Sequence, residues 1–126
     1  MRNGKVPLVL VVDDDKYARD SMIALLTKWG IETDDGQNGA VAIEKLQQRK
    51  YSLILLDMKM DNKNGLDVLE EMKRYGIPTP VVLMTAYPCT EEVDKTPKYG
   101  VVAGLIKPID SSILKKVIKT FIDIPG

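Results

Sequence analysis

The 126-residue chain has no histidine, one cysteine (Cys89), one tryptophan and one phenylalanine. The absence of histidine removes the most common general base and metal ligand of proteins. A lone cysteine excludes both an internal disulfide and a thiolate metal cage. Any metal ion bound by this chain is therefore expected to be a hard cation held by oxygen atoms.

The chain also lacks an excess of charge of either sign, and it lacks long apolar segments. Lys and Arg total 18, as do Asp and Glu, so no bulk field attracts nucleic acid or anionic lipid. The apolar runs are too short to span a bilayer, and the first run leads into aspartates without the cleavage site of a secretory signal. These features predict a cytoplasmic protein with no direct contact to nucleic acid or membranes.

Short apolar runs alternate along the chain with segments of helical periodicity. The runs at 8–12, 53–56 and 81–85 indicate strands buried within a sheet, and the run at 101–106 indicates a fifth strand. Residues 31–35 are predicted to form a short, polar strand, which is expected near a sheet edge. The length suits one domain, predicted to span residues 1–126.

Helices are predicted between these strands. Asp15 is a candidate N-cap for a first helix that Gly30 ends, and Asn38 is a candidate cap for the second. A third helix follows Gly65, and the last begins near Ser111. The alternation predicts an α/β fold in which a five-stranded, parallel, doubly wound sheet carries helices on both faces.

The segment between the fourth and fifth strands suits a helix poorly. Thr90 is a candidate cap, but Pro97 lacks a backbone donor and Val93 is the only aliphatic residue available for burial. We predict a fourth helix that is short and mobile.

Polar side chains stand where the apolar strands end. Asp13 and Asp14 follow the first strand, Asp57 the third, Thr85 ends the fourth, and Lys107 follows the fifth. Parallel strands bring these ends to one edge of the sheet. Clustered carboxylates repel one another unless a cation lies among them, and Mg²⁺ suits such a site. With Asp57 as the nucleophile, the pattern predicts an aspartyl-phosphate site.

The motifs around these residues resemble those of the receiver domains of two-component response regulators. They are Val11-Val12-Asp13-Asp14, Leu55-Leu56-Asp57-Met58-Lys59, Asn64-Gly65, Met84-Thr85-Ala86-Tyr87 and Lys107-Pro108. The resemblance extends from about Lys5 to Ile122 and is strongest to single-domain phosphorelay intermediates. It implies a flavodoxin-like sheet with strand order 2-1-3-4-5.

The resemblance also implies roles for individual residues. Asp57 would accept a phosphoryl group from a phosphohistidine of a sensor histidine kinase or phosphotransfer protein. Mg²⁺ would be held by Asp13, Asp14 and Asp57, with the backbone carbonyl of Lys59 as a further ligand. Such a domain is not an enzyme in the usual sense, although it catalyses its own phosphorylation and slow dephosphorylation.

The switching residues follow from the same resemblance. Thr85 would move towards the phosphoryl group and Lys107 would pair with it, and the change would reach an output domain or a downstream partner protein. A cis Lys107–Pro108 bond is expected, since it would turn Lys107 into the pocket. Gly104 stands where many family members carry an aromatic residue, so the switch is expected to work without an aromatic gate.

Two alternatives stay open at this point. An aspartate-nucleophile phosphatase would need a second acid two residues after the nucleophile, where this chain has Lys59. A receiver-like interaction module that is never phosphorylated would have no need to keep the paired carboxylates Asp13 and Asp14 beside Asp57 and Lys107.

Overall fold

The computed structural model describes residues 7–60, 64–87 and 91–124. Strands and helices alternate along them. In chain order they are β1 (Leu8–Val12), α1 (Lys16–Lys28), β2 (Glu32–Gly36), α2 (Gly39–Gln48), β3 (Leu53–Asp57), α3 (Gly65–Arg74), β4 (Val81–Thr85), α4 (Glu91–Asp94), a 3₁₀ turn (Thr96–Tyr99), β5 (Val101–Ile106) and α5 (Ser111–Phe121). No helix in the described part of the chain has the length and apolar character needed to cross a membrane.

The five strands form one parallel sheet in the order β2-β1-β3-β4-β5. This confirms the predicted fold class and strand order. The polar strand β2 lies at one edge, as its composition predicted, while β3 and β4 are buried along their whole length. All strands point the same way, so their carboxyl ends share one edge of the sheet.

Helices cover both faces of the sheet because alternate strand residues point to opposite sides. Leu10 and Val12 of β1 belong to the core under α2 and α3, and Val9 and Val11 belong to the core under α1 and α5. The helices contribute Ile43 and Leu69 to the first core and Leu26 and Ile118 to the second. This two-sided burial explains the uninterrupted apolar runs of the central strands.

The helix caps agree with the sequence signals. The side chains of Asp15 and Asn38 accept hydrogen bonds from the first turns of α1 and α2. Asn64 forms a capping box with Asp67 at the start of α3. Gly30 follows α1 with φ of 81°, a conformation that glycine adopts without a steric penalty.

Gly65 lets α3 begin directly against the end of β3. Its N–H donates to the backbone oxygen of Met58 at 2.8 Å. A Cβ atom at this position would lie 2.9 Å from the Cα of Met58 and 3.2 Å from the backbone oxygen of Asp57. A larger residue would therefore push α3 away from the strand end that carries Asp57.

The region before β5 contains a four-residue α4 followed by a 3₁₀ turn, so the prediction of a short helix is confirmed. Pro97 is accommodated because it lies at the start of the 3₁₀ turn, where no helical donor is required. Thr96 is buried and its hydroxyl donates to the backbone oxygen of Val93 at 2.7 Å. Val93 and Tyr99 pack against the core, and the sequence patterns did not indicate the contribution of Tyr99. The predicted cap Thr90 lies outside the described residues.

We expect the backbone amides of residues 91–99 to exchange with solvent at least about tenfold faster than those of α5, because so short a segment buries few side chains. A phosphoryl mimic should slow their exchange if ordering of this segment transmits the switch. Hydrogen exchange measured with and without the mimic is the test. Protection equal to that of α5 before the mimic is added would contradict the predicted mobility.

A charged cluster joins β2 to α2 and to the start of β3. The hydroxyl of Tyr51 donates to Asp34 Oδ2 at 2.6 Å, and Lys45 Nζ donates to Asp34 Oδ1 at 2.9 Å. Partial burial raises the pKa of Asp34, but these two hydrogen bonds, the N–H of Asp35 and the charge of Lys45 together outweigh it and leave the pKa below its ordinary value. Burial, followed by the neighbouring Asp34, raises the pKa of Tyr51.

We expect Tyr51→Phe to lower the free energy of unfolding by about 1–2 kcal/mol at neutral pH, because Asp34 loses a hydrogen bond to its charged form. A lowered folded-state pKa stabilises the protein above the unfolded pKa, and this contribution disappears as the pH falls through the folded pKa. The difference between the variant and the wild type should therefore shrink below about pH 4. Urea unfolding at several pH values measures it, and an unchanged difference at acid pH would contradict this account.

Candidate functional site

Three carboxylates meet at the carboxyl edge of the sheet. Asp13 and Asp14 follow β1 and Asp57 ends β3, and each offers an oxygen within 4.8 Å of the other two. The carboxylates of Asp13 and Asp57 are buried, whereas Asp14 is half-buried. The structure thus brings together the three acidic residues that the sequence placed at neighbouring strand ends.

Lys107 joins this cluster from the end of β5. Its Nζ lies 3.2 Å from Asp57 Oδ1 and 3.4 Å from Asp13 Oδ2. Burial lowers the pKa of Lys107, but the charges of Asp57 and Asp13 and the hydrogen bonds to them together outweigh burial and raise it. The ammonium group therefore stays charged and neutralises part of the carboxylate repulsion. The Lys107–Pro108 bond is cis, as predicted.

Asp57 is destabilised in its charged form. Burial, followed by the nearby charge of Asp13, raises the pKa of Asp57 to about 6, although Lys107 and the backbone N–H of Lys59 favour the carboxylate. The Lys59 N–H donates to Asp57 Oδ1 at 3.3 Å. A cation placed among these oxygens would lower this pKa and keep Asp57 ionised.

The position of Asp13 is set by its own backbone neighbours. Its N–H donates to the backbone oxygen of Gly36 at 3.1 Å, which extends the β1–β2 pairing beyond the last strand residue. Its Oδ1 accepts the N–H of Asp15 at 2.9 Å. The carboxylate of Asp13 is therefore held from the backbone side by Asp15 and from the cluster side by Lys107.

Thr85 lies at the end of β4, between the strand ends that carry Asp57 and Lys107. Its backbone oxygen accepts the N–H of Lys107 at 2.8 Å, and its hydroxyl accepts the N–H of Tyr87 at 3.0 Å. Among the described residues, the hydrogen bond made by the Thr85 hydroxyl goes to Tyr87 and not to the Asp57 carboxylate. Thr85 is thus beside the cluster but turned towards its own loop.

Lys59 contributes to the mouth of the site through its side chain as well as its backbone. Its Nζ lies 5.1 Å from the centroid of the Tyr87 ring, within the range of a cation–π contact. Tyr87 is 61% exposed, so this contact joins the loops after β3 and β4 at the surface. Ligation of a metal by the backbone carbonyl of Lys59 stays a prediction.

An open groove lies beside the cluster, between α1 and the segment that follows β5. It is a cavity of about 370 Å³ whose lining includes Asp13, Met22, Leu25, Pro108 and Ile109. The site is thus accessible from one side over a largely apolar surface.

Arg19 is a residue of this region that the sequence patterns missed. It is buried in α1, and its Nη1 donates to the backbone oxygen of Asp13 at 2.8 Å. The available signal was its spacing, because Arg19 precedes the buried Leu26 by two helical turns and shares its face. A charged residue on an apolar face implies a polar partner in the interior.

Comparison with known protein families identifies relatives of this chain. A profile described as the response regulator receiver domain matches residues 9–119. The chain is 36% identical to the transcriptional regulatory protein ZraR of Klebsiella oxytoca over 108 residues, which cover 86% of this chain and 24% of that protein. The chain therefore spans about a quarter of the length of such regulators.

A shorter relative is covered almost completely. The chain is 28% identical to sporulation initiation phosphotransferase F of Bacillus subtilis, over 97% of this chain and 96% of that protein. Among solved structures, response regulator TrrA of Thermotoga maritima, in complex with Mg²⁺ and BeF, has a TM-score of 0.82 at 26% identity and covers 93% of this chain. The chemotaxis protein CheY4 of Vibrio cholerae, at 22% identity and a TM-score of 0.86, supports the fold alone.

Proposed function

The chain belongs to the family of response regulator receiver domains, and from this membership we propose that Asp57 is the phosphoacceptor of a two-component phosphorelay. Receiver domains act as switches and are not classical enzymes. The observation that carries the proposal is the meeting of Asp13, Asp14, Asp57 and Lys107 at one sheet edge.

In the proposed reaction, a carboxylate oxygen of Asp57 attacks the phosphorus of a phosphohistidine. A P–O bond forms and the P–N bond breaks, and its electron pair returns to the imidazole nitrogen, which then takes up a proton. Among the described residues, Lys107 Nζ and the Lys59 N–H both contact Oδ1 of Asp57. Oδ2 is therefore the oxygen that we expect to attack phosphorus. Later attack of water on phosphorus would restore the carboxylate and release inorganic phosphate.

The acidic cluster fits Mg²⁺, which prefers a small number of carboxylates and retains several waters. When bound, this ion would neutralise charge on the phosphoryl oxygens and orient them. Asp13, Asp14 and Asp57 would hold it, with the backbone carbonyl of Lys59 as a further ligand. Mg²⁺ binding should be weak before phosphorylation, because the positive charge of Lys107 already lies beside Asp13 and Asp57.

Lys107 and Thr85 would respond to the new phosphoryl group. Lys107 lies within reach of the Asp57 carboxylate and would pair with a phosphoryl oxygen there. The Thr85 hydroxyl would exchange its present contact with the Tyr87 N–H for the phosphoryl group. Gly104 leaves open space where an aromatic side chain would otherwise follow this movement, so the signal would pass through the segment after β4.

The proposed donor is a sensor histidine kinase or a phosphotransfer protein, and the proposed recipient of the signal is an output domain or a downstream partner protein. Neither alternative function is favoured. A phosphatase of the aspartate-nucleophile type lacks its second acid, because Lys59 stands at that position. A module without phosphate chemistry does not account for two buried carboxylates placed beside one another.

The direct test uses intact-protein mass spectrometry with a small phosphodonor such as phosphoramidate, with Mg²⁺ and with EDTA. We expect the mass of one phosphoryl group to be added only when Mg²⁺ is present. Amide NMR shifts of Asp13, Asp14 and Asp57 should also respond to Mg²⁺ alone. Steady release of phosphate without a labelled intermediate would indicate a phosphatase, and the absence of both label and Mg²⁺ shifts would indicate an inert module.

A further inference from the structure

Arg19 has an unusual position for a cation in this fold. Only 10% of its side chain is exposed. Within the described part of the chain, the buried polar and charged residues are Asp13, Arg19, Asp57, Thr85 and Thr96. Three of these five form the proposed phosphoacceptor site, Thr96 anchors the 3₁₀ turn, and Arg19 contacts the backbone of Asp13.

Two hydrogen bonds hold the backbone of Asp13 on opposite sides. The N–H donates to Gly36 of β2, and the carbonyl accepts Arg19 Nη1 at 2.8 Å. Asp13, the residue that follows the last paired position of β1, is therefore fixed through its backbone. The side chain of Asp13 is attached to this backbone, so the orientation of its carboxylate depends on the two peptide planes that these hydrogen bonds fix.

The guanidinium group is placed at a cost in stability. Arg19 Nε lies 3.3 Å from Asp35 Oδ2, but it is buried and not aligned for a hydrogen bond with any described residue. Taking a charged group from water and leaving one donor unmatched is unfavourable. An apolar side chain of similar size would fill the same space without this cost, so packing alone does not account for an arginine here.

A second set of charges positions Arg19 itself. Asp35 faces the guanidinium and also lies 3.4 Å from Lys45 Nζ through its Oδ1. Lys45 is in turn held by Asp34 at 2.9 Å. Residues of β2 and α2 thus orient the side chain that contacts the backbone of Asp13.

We propose that Arg19 is a positioning residue for the metal and phosphoacceptor site, acting by holding the backbone carbonyl of Asp13. This inference rests on the proposed function, because it concerns how well Asp13 is oriented towards Mg²⁺. Residues that do not bind a metal themselves but orient its ligands influence metal affinity strongly. Their loss typically lowers the metal affinity or the activity about 10–100-fold.

The test compares Arg19→Met with the wild type in Mg²⁺ titrations followed by the amide NMR signals of Asp13 and Asp15. We expect the dissociation constant for Mg²⁺ to rise about tenfold. In phosphorylation by phosphoramidate, the half-saturating Mg²⁺ concentration should rise by a similar factor, while the rate at saturating Mg²⁺ changes much less. Arg19→Lys, which keeps one cationic donor, should give an intermediate affinity.

Two control variants separate positioning from general effects. Arg74→Met removes another arginine that pairs with an acidic residue, Glu71, at 3.5 Å, at the end of α3 that lies away from the site. Ile118→Val shortens a buried side chain of α5 and lowers stability by about 1 kcal/mol without touching the site. Both should retain the wild-type Mg²⁺ affinity, and a loss in either control equal to that of Arg19→Met would overturn the proposal.

The remaining outcomes are equally decisive. An Arg19→Met variant whose Mg²⁺ dissociation constant is within about twofold of the wild-type value overturns the inference, because the loss of a residue that orients a metal ligand should raise this constant further. If Arg19→Met does not fold, Arg19→Lys decides, and a wild-type affinity in that variant overturns the inference. If the wild type itself shows no response to Mg²⁺, the proposed function fails, which is distinguishable from failure of the role of Arg19.

Discussion

Asp57→Asn is expected to reduce phosphorylation by a small phosphodonor at least about a thousandfold, because the carboxamide is not a nucleophile for phosphorus. The change is nearly isosteric, so α3 should still begin against the end of β3 and the sheet should persist. Intact-protein mass spectrometry after incubation with phosphoramidate and Mg²⁺ measures the loss. The matched control is Asp20→Asn, an exposed carboxylate of α1 paired with Lys16.

The same variant is expected to be more stable than the wild type at neutral pH in Mg²⁺-free buffer. The pKa of Asp57 is raised to about 6 in the folded state, chiefly by burial. A raised folded-state pKa gives stability that is fully present below the unfolded pKa and lost as the pH rises through the folded value. Asn carries no charge at any pH, so the gain should appear above about pH 6 and vanish below about pH 4.

Two results would contradict these expectations. If Asp57→Asn still gained a phosphoryl group at the wild-type level, the acceptor would be another residue. A variant less stable than the wild type at neutral pH would show that the charged carboxylate is better compensated in the fold than its burial beside Asp13 implies. Urea unfolding at acid and neutral pH provides the second measurement.

Lys107→Met is expected to change two properties in opposite directions. Lys107 Nζ lies 3.2 Å from Asp57 and 3.4 Å from Asp13, so it competes with Mg²⁺ for the same carboxylates. Its removal should tighten Mg²⁺ binding. The rate of phosphorylation should nevertheless fall about a hundredfold, because a fixed cation that stabilises the developing charge is lost.

The Lys107 experiment combines an NMR titration with Mg²⁺ and a mass-spectrometric time course. Lys119→Met, an exposed position of α5, makes the same change in net charge away from the site. Weaker Mg²⁺ binding in Lys107→Met would mean that the lysine positions the carboxylates rather than competing for them. An unchanged rate would remove Lys107 from the proposed chemistry.

Several features of this protein follow from the sequence alone because they depend on local periodicity. Four-residue and longer apolar runs predicted the central strands, and caps such as Asp15 and Asn38 predicted the helix starts that the structure shows. The alternation of strands and helices then left few topologies. Since parallel strands share one carboxyl edge, the positions of Asp13, Asp57 and Lys107 after three strands were enough to predict that they meet.

Other features depend on distances between elements that local patterns do not encode. The 3₁₀ turn is held because Tyr99 packs against the core under α2 and α3, although the sequence of residues 88–100 suits a helix poorly. The hydrogen bond from Tyr51 to Asp34 joins residues 17 positions apart. Burial by the whole fold, which no local pattern measures, sets the raised pKa of Asp57.

The division is clearest around Asp13. Its place at the end of an apolar run determined, from sequence alone, that its carboxylate would lie at the edge of the sheet. Only the tertiary structure decided that Lys107 bridges it to Asp57 and that Arg19 holds its carbonyl. Periodicity determines which edge or face a residue occupies, whereas the partner of a buried charge depends on how separate elements pack together.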